Sequence, residues 1–154
     1  MYYIGMDCHI ANLEIAVVNE KGQVVKREGV KTSEKGMMEC IRSVGRPRKV
    51  IIEEGCLAGW VKEICETYKE ELLISDPKEN RWIGRSGQKG DQLDAEKLAQ
   101  LARGNYVKEI YHPVGEKRRL RELVLAYHDA VSLEIRLKNK IKAKRKRITL
   151  ISKC

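Results

Sequence analysis

The first thirty residues alternate between apolar and polar positions in a way that predicts three strands joined by tight turns. Residues 2–8 form an apolar run that ends at Asp7, and residues 12–19 alternate before they become apolar. Glu20-Lys21-Gly22 is a suitable hairpin turn into a third strand at 23–30. The chain therefore begins with an antiparallel meander.

The middle of the chain changes to alternating helices and strands. Thr32 and Ser33 can cap a first helix, and Val50-Ile51-Ile52 is typical of a strand that is covered on both faces. The remaining expected elements are a helix around 57–65, a buried strand at 72–74, a polar, mobile loop at 78–90, a helix at 91–103 and one long helix at 115–147. Three meandering strands followed by crossover units predict an α/β, RNase H-like mixed five-stranded sheet with helices on both faces.

Composition adds limits to this picture. The 154 residues suffice for one domain with a core, and 34% of them are charged. We expect a cytoplasmic protein without a membrane partner, because no apolar stretch approaches the roughly 20 residues of a bilayer span and the first residues lack a secretion signal. Five cysteines without a CxxC pair indicate reduced thiols, and a zinc site at Cys8 and His9 has no supporting ligand spacing.

The net charge of +9 is concentrated at one end of the chain. Residues 1–115 hold 18 basic and 18 acidic residues, whereas residues 116–154 hold 13 basic and 4 acidic ones. We therefore divide the chain into an RNase H-like domain, 1–114, and a basic helical arm, 115–154. Such asymmetry indicates that the arm binds a polyanion.

Acidic residues follow the predicted strands at positions that the fold brings together. Asp7 ends the first strand and Glu53 and Glu54 end the fourth, 46 residues later. These two strands are neighbours in this topology, and sites form beyond strand ends where the strand order changes. Asp91 and Asp94 lie in the first turn of a helix, about 60° apart around its axis.

Each of these carboxylates also has an ordinary explanation. Asp91 can cap its helix, and Asp94, Glu53 and Glu54 can be solvated surface charges. Asp7 is harder to explain in this way, since it is expected to be partly buried and a buried carboxylate needs a partner. A divalent cation accounts for several converging carboxylates, and Mg²⁺ or Mn²⁺, as two ions about 4 Å apart, would support phosphodiester chemistry.

The same residues carry a resemblance to a known family. The matching segments are Tyr3-Ile4-Gly5-Met6-Asp7, Ile51-Ile52-Glu53-Glu54-Gly55, Ser75-Asp76-Pro77 and Lys89-Gly90-Asp91-Gln92-Leu93-Asp94-Ala95. They resemble, in order, the N-terminal RuvC-like DEDD domain of the insertion-sequence one-ten transposases, which are related to the pilin-gene invertases.

The resemblance implies a catalytic and metal-binding tetrad of Asp7, Glu53, Asp91 and Asp94. The family has one glutamate where this chain has Glu53 and Glu54, so either can be the ligand, and the spacing to Asp76-Pro77 favours Glu53.

The family also implies DNA recombination guided by a bridge RNA, with a nucleophilic serine in a C-terminal domain. That domain does not follow in this sequence, and Ser152 stands in no matching context. We therefore expect metal and nucleic-acid binding from this chain without complete recombination.

The long helix predicts two further properties. Apolar positions from Leu120 to Ile141 follow an imperfect stripe, interrupted by Glu134, that can pack on the domain or pair with a second copy. We favour pairing, as a homodimer or higher oligomer, and the family's coiled-coil linker agrees.

The basic residues indicate nucleic-acid contacts. Eight of the twelve positions from 136 to 147 are Lys or Arg, and no acid follows Glu134. The residues expected to contact DNA or RNA phosphates are Lys138, Lys140, Lys142, Lys144, Arg145, Lys146 and Arg147, together with Arg81, Arg85 and Lys89 of the loop.

Three other functions remain open at this point. A RuvC-like endonuclease that uses water would need the same tetrad and no serine domain. A non-catalytic nucleic-acid-binding remnant would keep the fold and lose the metal. An actin-like sugar kinase shares the opening Gly-x-Asp but needs a second glycine-rich loop and more than twice this length.

Overall fold

The computed structural model describes residues 1–78 and 91–151, and for residues 91, 92 and 147–151 it describes the backbone alone. Its strands are β1 (Tyr2–Cys8), β2 (Asn12–Asn19), β3 (Val24–Lys31), β4 (Arg48–Glu53) and β5 (Leu72–Ser75). Its helices are α1 (Glu34–Arg42), α2 (Ala58–Thr67), α3 (Asp91–Arg103) and α4 (Gly115–Ile151). The loop expected at 78–90 falls outside the described residues beyond Lys78.

The five strands form one mixed sheet in the order β3-β2-β1-β4-β5. β1 pairs antiparallel with β2, and β2 with β3, whereas β1–β4 and β4–β5 are parallel. The predicted α/β fold, with the first and fourth strands as neighbours, is confirmed.

Local side chains fix the ends of several elements. Asn19 Oδ1 accepts hydrogen bonds from the backbone N–H groups of Lys21 and Gln23, both at 3.0 Å, and Gly22 supplies the positive φ that the hairpin turn needs. Ser33 Oγ caps α1 by accepting from the Gly36 N–H at 3.1 Å. These contacts set where β2, β3 and α1 meet.

Two apolar clusters cover the two faces of the sheet. The larger cluster packs α1 and α2 on one face, with Ile4, Met6 and Ile52 among its fully buried strand residues. The smaller cluster packs α3 on the other face, through Leu98 and Ile51. β4 is therefore covered on both sides, as its all-apolar run predicts.

α4 belongs to a second compact unit, Val114–Cys154, separate from Met1–Pro113. Large apolar side chains such as Leu120, Leu123 and Ile141 are exposed along this helix. None of the helices in the described part of the chain combines the length and apolar character of a membrane span.

A buried ion pair holds the sheet at the end opposite to Asp7. Glu70, whose side chain is 3% exposed, accepts hydrogen bonds from Arg48 Nε at 3.0 Å and from Arg46 Nη2 at 2.9 Å. Arg48 also donates to the Val44 carbonyl oxygen at 2.7 Å. The hydrogen bonds from Arg48 are the main reason why the pKa of Glu70 lies below its usual value of 4.5.

We expect Glu70→Gln to lower the free energy of unfolding at pH 7 by about 3 kcal/mol, because it leaves the buried Arg48 without its counter-charge. A carboxylate with a lowered folded-state pKa stabilises the fold above its unfolded pKa and loses this contribution as the pH falls. The difference between wild type and variant in urea unfolding should therefore shrink below about pH 4.5.

Glu71→Gln is the matched control, since the neighbouring pair between Lys49 and Glu71 is 2.6 Å long but the Glu71 side chain is 55% exposed. This control should cost less than about 1 kcal/mol. Equal losses in the two variants would contradict the assignment of the buried pair.

Candidate metal centre

The parallel pairing of β1 and β4 makes Asp7 and Glu53 neighbours at one edge of the sheet. The register pairs Met6 with Ile52, and Asp7 and Glu53 are the next residues on their strands. Adjacent strands are about 4.8 Å apart, so the two backbones are close enough for the carboxylates to share a ligand. The sheet thus unites the first two predicted site residues.

Alternation along the strands decides which face these side chains occupy. Tyr3 and Ile51 belong to the cluster under α3, and Asp7 and Glu53 are an even number of residues further on. Side chains two residues apart on a strand point to the same face. Asp7 and Glu53 therefore point to the α3 side of the sheet.

A backbone contact fixes α3 against β1. A Cβ atom at Gly5 would overlap the Ala95 carbonyl oxygen and lie 2.7 Å from the Ala99 nitrogen, so α3 rests directly on the strand. Near the other end of the helix, Gln100 Nε2 donates to the Gly22 carbonyl oxygen at 2.8 Å. Gly22 lies in the turn beside the start of β1, and α3 therefore runs antiparallel to β1.

This direction brings the N-terminus of α3 to the edge that carries Asp7. From Ala95 back to Asp91 the helix advances by about 6 Å, and from Gly5 to Asp7 the strand advances by about 6.6 Å in the same direction. The backbone of Asp91 lies about one helical turn before that of Ala95, at the start of α3. The backbone of Asp91 is therefore level with Asp7.

Asp94 lies on the side of α3 that faces β4. It precedes Leu98 by one turn, and Leu98 packs on Ile51 of β4. Its side chain is 52% exposed and lies 2.8 Å from Lys97 Nζ. Asp94 is thus near the acidic edge but is engaged by a lysine.

The position of Glu54 differs from that of Glu53. Glu54 follows the end of β4, and its N–H donates to the Ser75 carbonyl oxygen at 3.0 Å. Adjacent residues of an extended strand point to opposite faces, so the alternation that directs Glu53 toward α3 directs Glu54 away from it. The geometry favours Glu53 as the ligand.

Two further polar residues lie at this edge that were not among the predicted metal ligands. His9 Nε2 is 3.0 Å from Asp7 Oδ2, while the Asp7 side chain is 25% exposed. Glu14 of β2 pairs across the strands with Asp7, and its Oε2 is buried without a hydrogen-bond partner in the described part of the chain. The pairing of Glu14 could have been read from the ends of β1 and β2, because a short connection fixes the register of a hairpin.

The donor set fits a hard divalent cation. Within the residues whose side chains are described, no group of three potential ligands is close enough to hold a metal, and the Asp91 side chain is outside that set. The orphaned Glu14 oxygen nevertheless shows that this carboxylate-rich edge has unused capacity for a cation or its water. Carboxylate oxygens suit Mg²⁺ and Mn²⁺.

Three of the cysteines are poor candidates for soft metal ligands at neutral pH. Burial raises the pKa of the Cys8 thiol beside this edge to about 12, and the pKa values of Cys40 and Cys65 are raised to about 12 as well. All three thiols are therefore protonated at neutral pH, and only a thiolate is a good metal ligand.

The structure describes some of the residues that were predicted to contact nucleic acid. Lys138, Lys140, Lys142, Lys144, Arg145 and Lys146 are exposed on α4, and Arg147 is on the same helix. Arg81, Arg85 and Lys89 lie outside the described residues. The long helix thus carries a continuous basic segment.

Comparisons with known proteins agree with this geometry. Residues 4–148 match the model of the DEDD transposase family of insertion sequence IS110, described as a transposase. No match was found among curated protein sequences.

Two similar solved structures are RuvC from Thermus thermophilus. One, in complex with a Holliday junction substrate, is 16% identical with a TM-score of 0.55 and covers 71% of this chain and 99% of its own. The other is 18% identical with a TM-score of 0.54 and covers 71% of this chain and 100% of its own. These likenesses show the fold, and the predicted RNase H-like class is confirmed.

The contact at Gly5 generates a prediction about how the site is assembled. Gly5→Ala should lower the free energy of unfolding by about 3 kcal/mol and weaken Mn²⁺ binding, because the new methyl group pushes α3 away from β1. Calorimetric titration and urea unfolding measure the two effects. Gly45→Ala is the control, since a Cβ atom at position 45 meets nothing within 4 Å. An unchanged Mn²⁺ affinity in Gly5→Ala would contradict the role of the contact between α3 and β1.

Proposed function

Because this chain belongs to the IS110 family of DEDD transposases and has the fold of RuvC, we propose that it supplies the metal-dependent acidic site with which a DNA transposase cleaves and exchanges strands. The observation that supports this most directly is the placement of Asp7, Glu53 and the N-terminus of α3 at one edge of the sheet. Two Mg²⁺ or Mn²⁺ ions bound there would stabilise the attacking and leaving oxygens of a phosphodiester.

Carboxylates from two strands and one helix would bind these ions. Asp7 and Glu53 come from adjacent parallel strands, so their backbones are fixed relative to each other by the sheet. Asp91 and Asp94 come from the first turn of α3, whose position depends on Gly5. Asp94 would have to exchange Lys97 for a metal, which its 52% exposure permits.

DNA is the substrate that we propose. One of the similar RuvC structures contains a Holliday junction, and the RuvC chain is matched over 99% of its length. The exposed basic segment of α4 would hold the phosphate backbone, and the family resemblance adds a bridge RNA that selects the DNA sequence.

We also propose that the exposed apolar stripe of α4, including Leu120 and Ile141, pairs with a second copy in a dimer or higher oligomer.

A RuvC-like endonuclease is the second function that the structure supports. Its acidic site would be the same, but water would replace the serine nucleophile. Metal-dependent cleavage of four-way DNA by this chain alone would favour the endonuclease, whereas metal binding without cleavage would favour the transposase domain. A chain that binds nucleic acid but no divalent metal would instead be a non-catalytic remnant.

The assignment between the two adjacent glutamates can be tested directly. Glu53→Gln should weaken Mn²⁺ binding by at least about tenfold, because it removes a ligand charge that points to the α3 side of the sheet. Glu54→Gln is the matched control and should change the affinity by less than about threefold. Isothermal titration with Mn²⁺ measures both, and the reverse ranking would assign the ligand to Glu54.

The basic segment of α4 generates a separate prediction. Replacing Lys138, Lys140, Lys142 and Lys144 by Gln should lower affinity for duplex DNA and structured RNA roughly tenfold or more at low salt. The slope of log K against log salt should fall by roughly 0.9 for each duplex phosphate contact that is lost. Fluorescence anisotropy across a salt series measures both quantities.

A control removes the same charge from the other unit. Lys21, Lys31, Lys35 and Lys69 are exposed in Met1–Pro113, and replacing all four by Gln should leave the salt slope nearly unchanged. If the α4 variant keeps wild-type affinity at low salt, the proposed electrostatic contact is wrong.

A further inference from the structure

The apolar stripe of α4 can be covered by a second copy in two orientations. Leu120, Tyr127 and Ile141 share one face of the helix and are 63%, 67% and 67% exposed. From Leu120 to Ile141 the stripe extends for about 32 Å. Parallel and antiparallel pairing would bury the same apolar side chains, so the stripe alone does not decide between them.

The charges along α4 are distributed unevenly. Residues 116–134 hold four acidic and four basic residues and therefore carry no net charge. Residues 136–147 hold eight basic residues and no acidic one. Charges that flank an apolar seam set the orientation of paired helices, so this asymmetry separates the two arrangements.

Parallel pairing would place the two basic segments, residues 136–147, side by side. The axes of packed helices are about 8–10 Å apart, which is close to the screening length of about 8 Å at physiological ionic strength. Eight positive charges on each helix would thus repel with little screening. No acidic residue lies within the segment to form an ion pair across the seam.

Glu134 gives a second reason, because it lies on the apolar stripe itself. In a parallel pair, the two copies of Glu134 would face each other across the seam, and like charges in that position oppose pairing. Lys138 of the same helix is its ion-pair partner in this structure, but both side chains remain more than half exposed.

Antiparallel pairing removes both conflicts. The midpoint of the stripe lies between Ala130 and Val131, and rotation about it places Leu120 opposite Ile141 of the second copy. Glu134 then lies level with Tyr127, whose hydroxyl can donate to the carboxylate. Each basic segment lies beside the first half of the other helix, at the level of Glu116 and Glu122.

We propose that two copies of this chain pair through the apolar stripe of α4 in antiparallel orientation, with their basic segments at opposite ends of the pair. This inference rests on the pairing put forward in the proposed function. The centres of the two basic segments would be about 33 Å apart along the pair, roughly four screening lengths. One pair would therefore present two separate segments to a polyanion.

Pulsed electron paramagnetic resonance on the full chain, purified free of nucleic acid, measures the orientation. Lys117, Ser132 and Asn139 are exposed and lie within about 60° of one another around the helix axis, outside the stripe. Each is replaced, one at a time, by a ketone-bearing amino acid that carries a nitroxide label, so the five native cysteines stay unlabelled.

Antiparallel pairing separates the two labels along the helix axis by about 40 Å at position 117 and about 26 Å at position 139. At position 132, beside the midpoint, the axial separation is only about 5 Å. We therefore expect a distance at position 132 that is clearly shorter than the other two. Nearly equal distances at all three positions would show parallel pairing and overturn the proposal.

Neutralising the charges tests their role in the orientation. Glu134→Gln combined with Lys138, Lys140, Lys142 and Lys144→Gln removes the like charges that parallel pairing would bring together. A second, shorter distance should then appear at positions 117 and 139. The control replaces Lys21, Lys31, Lys35 and Lys69 in the other unit by Gln and should keep the wild-type distances.

The outcomes separate this inference from the proposals on which it rests. Antiparallel distances alone in the neutralised variant would contradict the role of charge. A chain that sediments as a monomer and gives no label-to-label distance would overturn the pairing together with its orientation. Neither result touches the acidic site, whose failure would appear as an absence of Mn²⁺ binding in the wild-type chain.

Discussion

The direct contact between the backbone of α3 and Gly5 of β1 controls the arrangement of the acidic edge. A helix normally rests on a sheet through its side chains, which allow it to slide and tilt as they repack. Here the Ala95 carbonyl oxygen and the Ala99 nitrogen approach the strand where no side chain intervenes. Since the distance along the helix from Ala95 to Asp91 matches that along the strand from Gly5 to Asp7, this contact sets the level of the helical carboxylates relative to those of the sheet.

The two faces of the sheet therefore serve different purposes. The face under α1 and α2 holds most of the apolar core, with large side chains such as Met37 and Ile41 fully buried. The face under α3 has a smaller apolar cluster, and Ala95 and Ala99 lie where the helix backbone contacts β1. A thick apolar layer supplies stability, whereas close approach of backbones supplies fixed positions. The carboxylates project from the face under α3, where position matters more than burial.

Much of the fold follows from local sequence patterns, but the candidate metal site depends on how the strands pair in the sheet. The strands were predictable because apolar runs are short and bounded by turn residues, and β1 and β2 begin and end where the pattern indicates. The long helix continues to Ile151, beyond the predicted end at 147, because no glycine or proline interrupts it there. The spacing to Asp76-Pro77 already favoured Glu53 over Glu54 in the sequence, and the structure adds that β4 ends at Glu53, so that Glu54 lies beyond the strand.

Glu14 shows the limit of reading one strand at a time. Within β2 it is an ordinary polar residue of an alternating strand, and only its pairing with Asp7 on one side and Gly29 on the other shows which residues it neighbours. The ion pair between Asp94 and Lys97 is different, because the two residues are three apart on a predicted helix and such a pair can be expected from the sequence.

Under the proposed function, the distribution of charge gives the basic arm, residues 115–154, a role that the acidic edge could not fill. Residues 1–115 have no net charge, so they offer no long-range attraction to a phosphodiester, and the carboxylates at the edge repel it locally. Divalent cations can reverse that local repulsion, but their field is screened beyond about 8 Å at physiological ionic strength. Attraction over longer distances along the polyanion must then come from residues 116–154, which carry the whole excess of positive charge. Under the proposed function, capture of nucleic acid and chemistry on it would therefore use two separate sets of residues in this chain, one basic and extended, the other acidic and placed at the edge of the sheet.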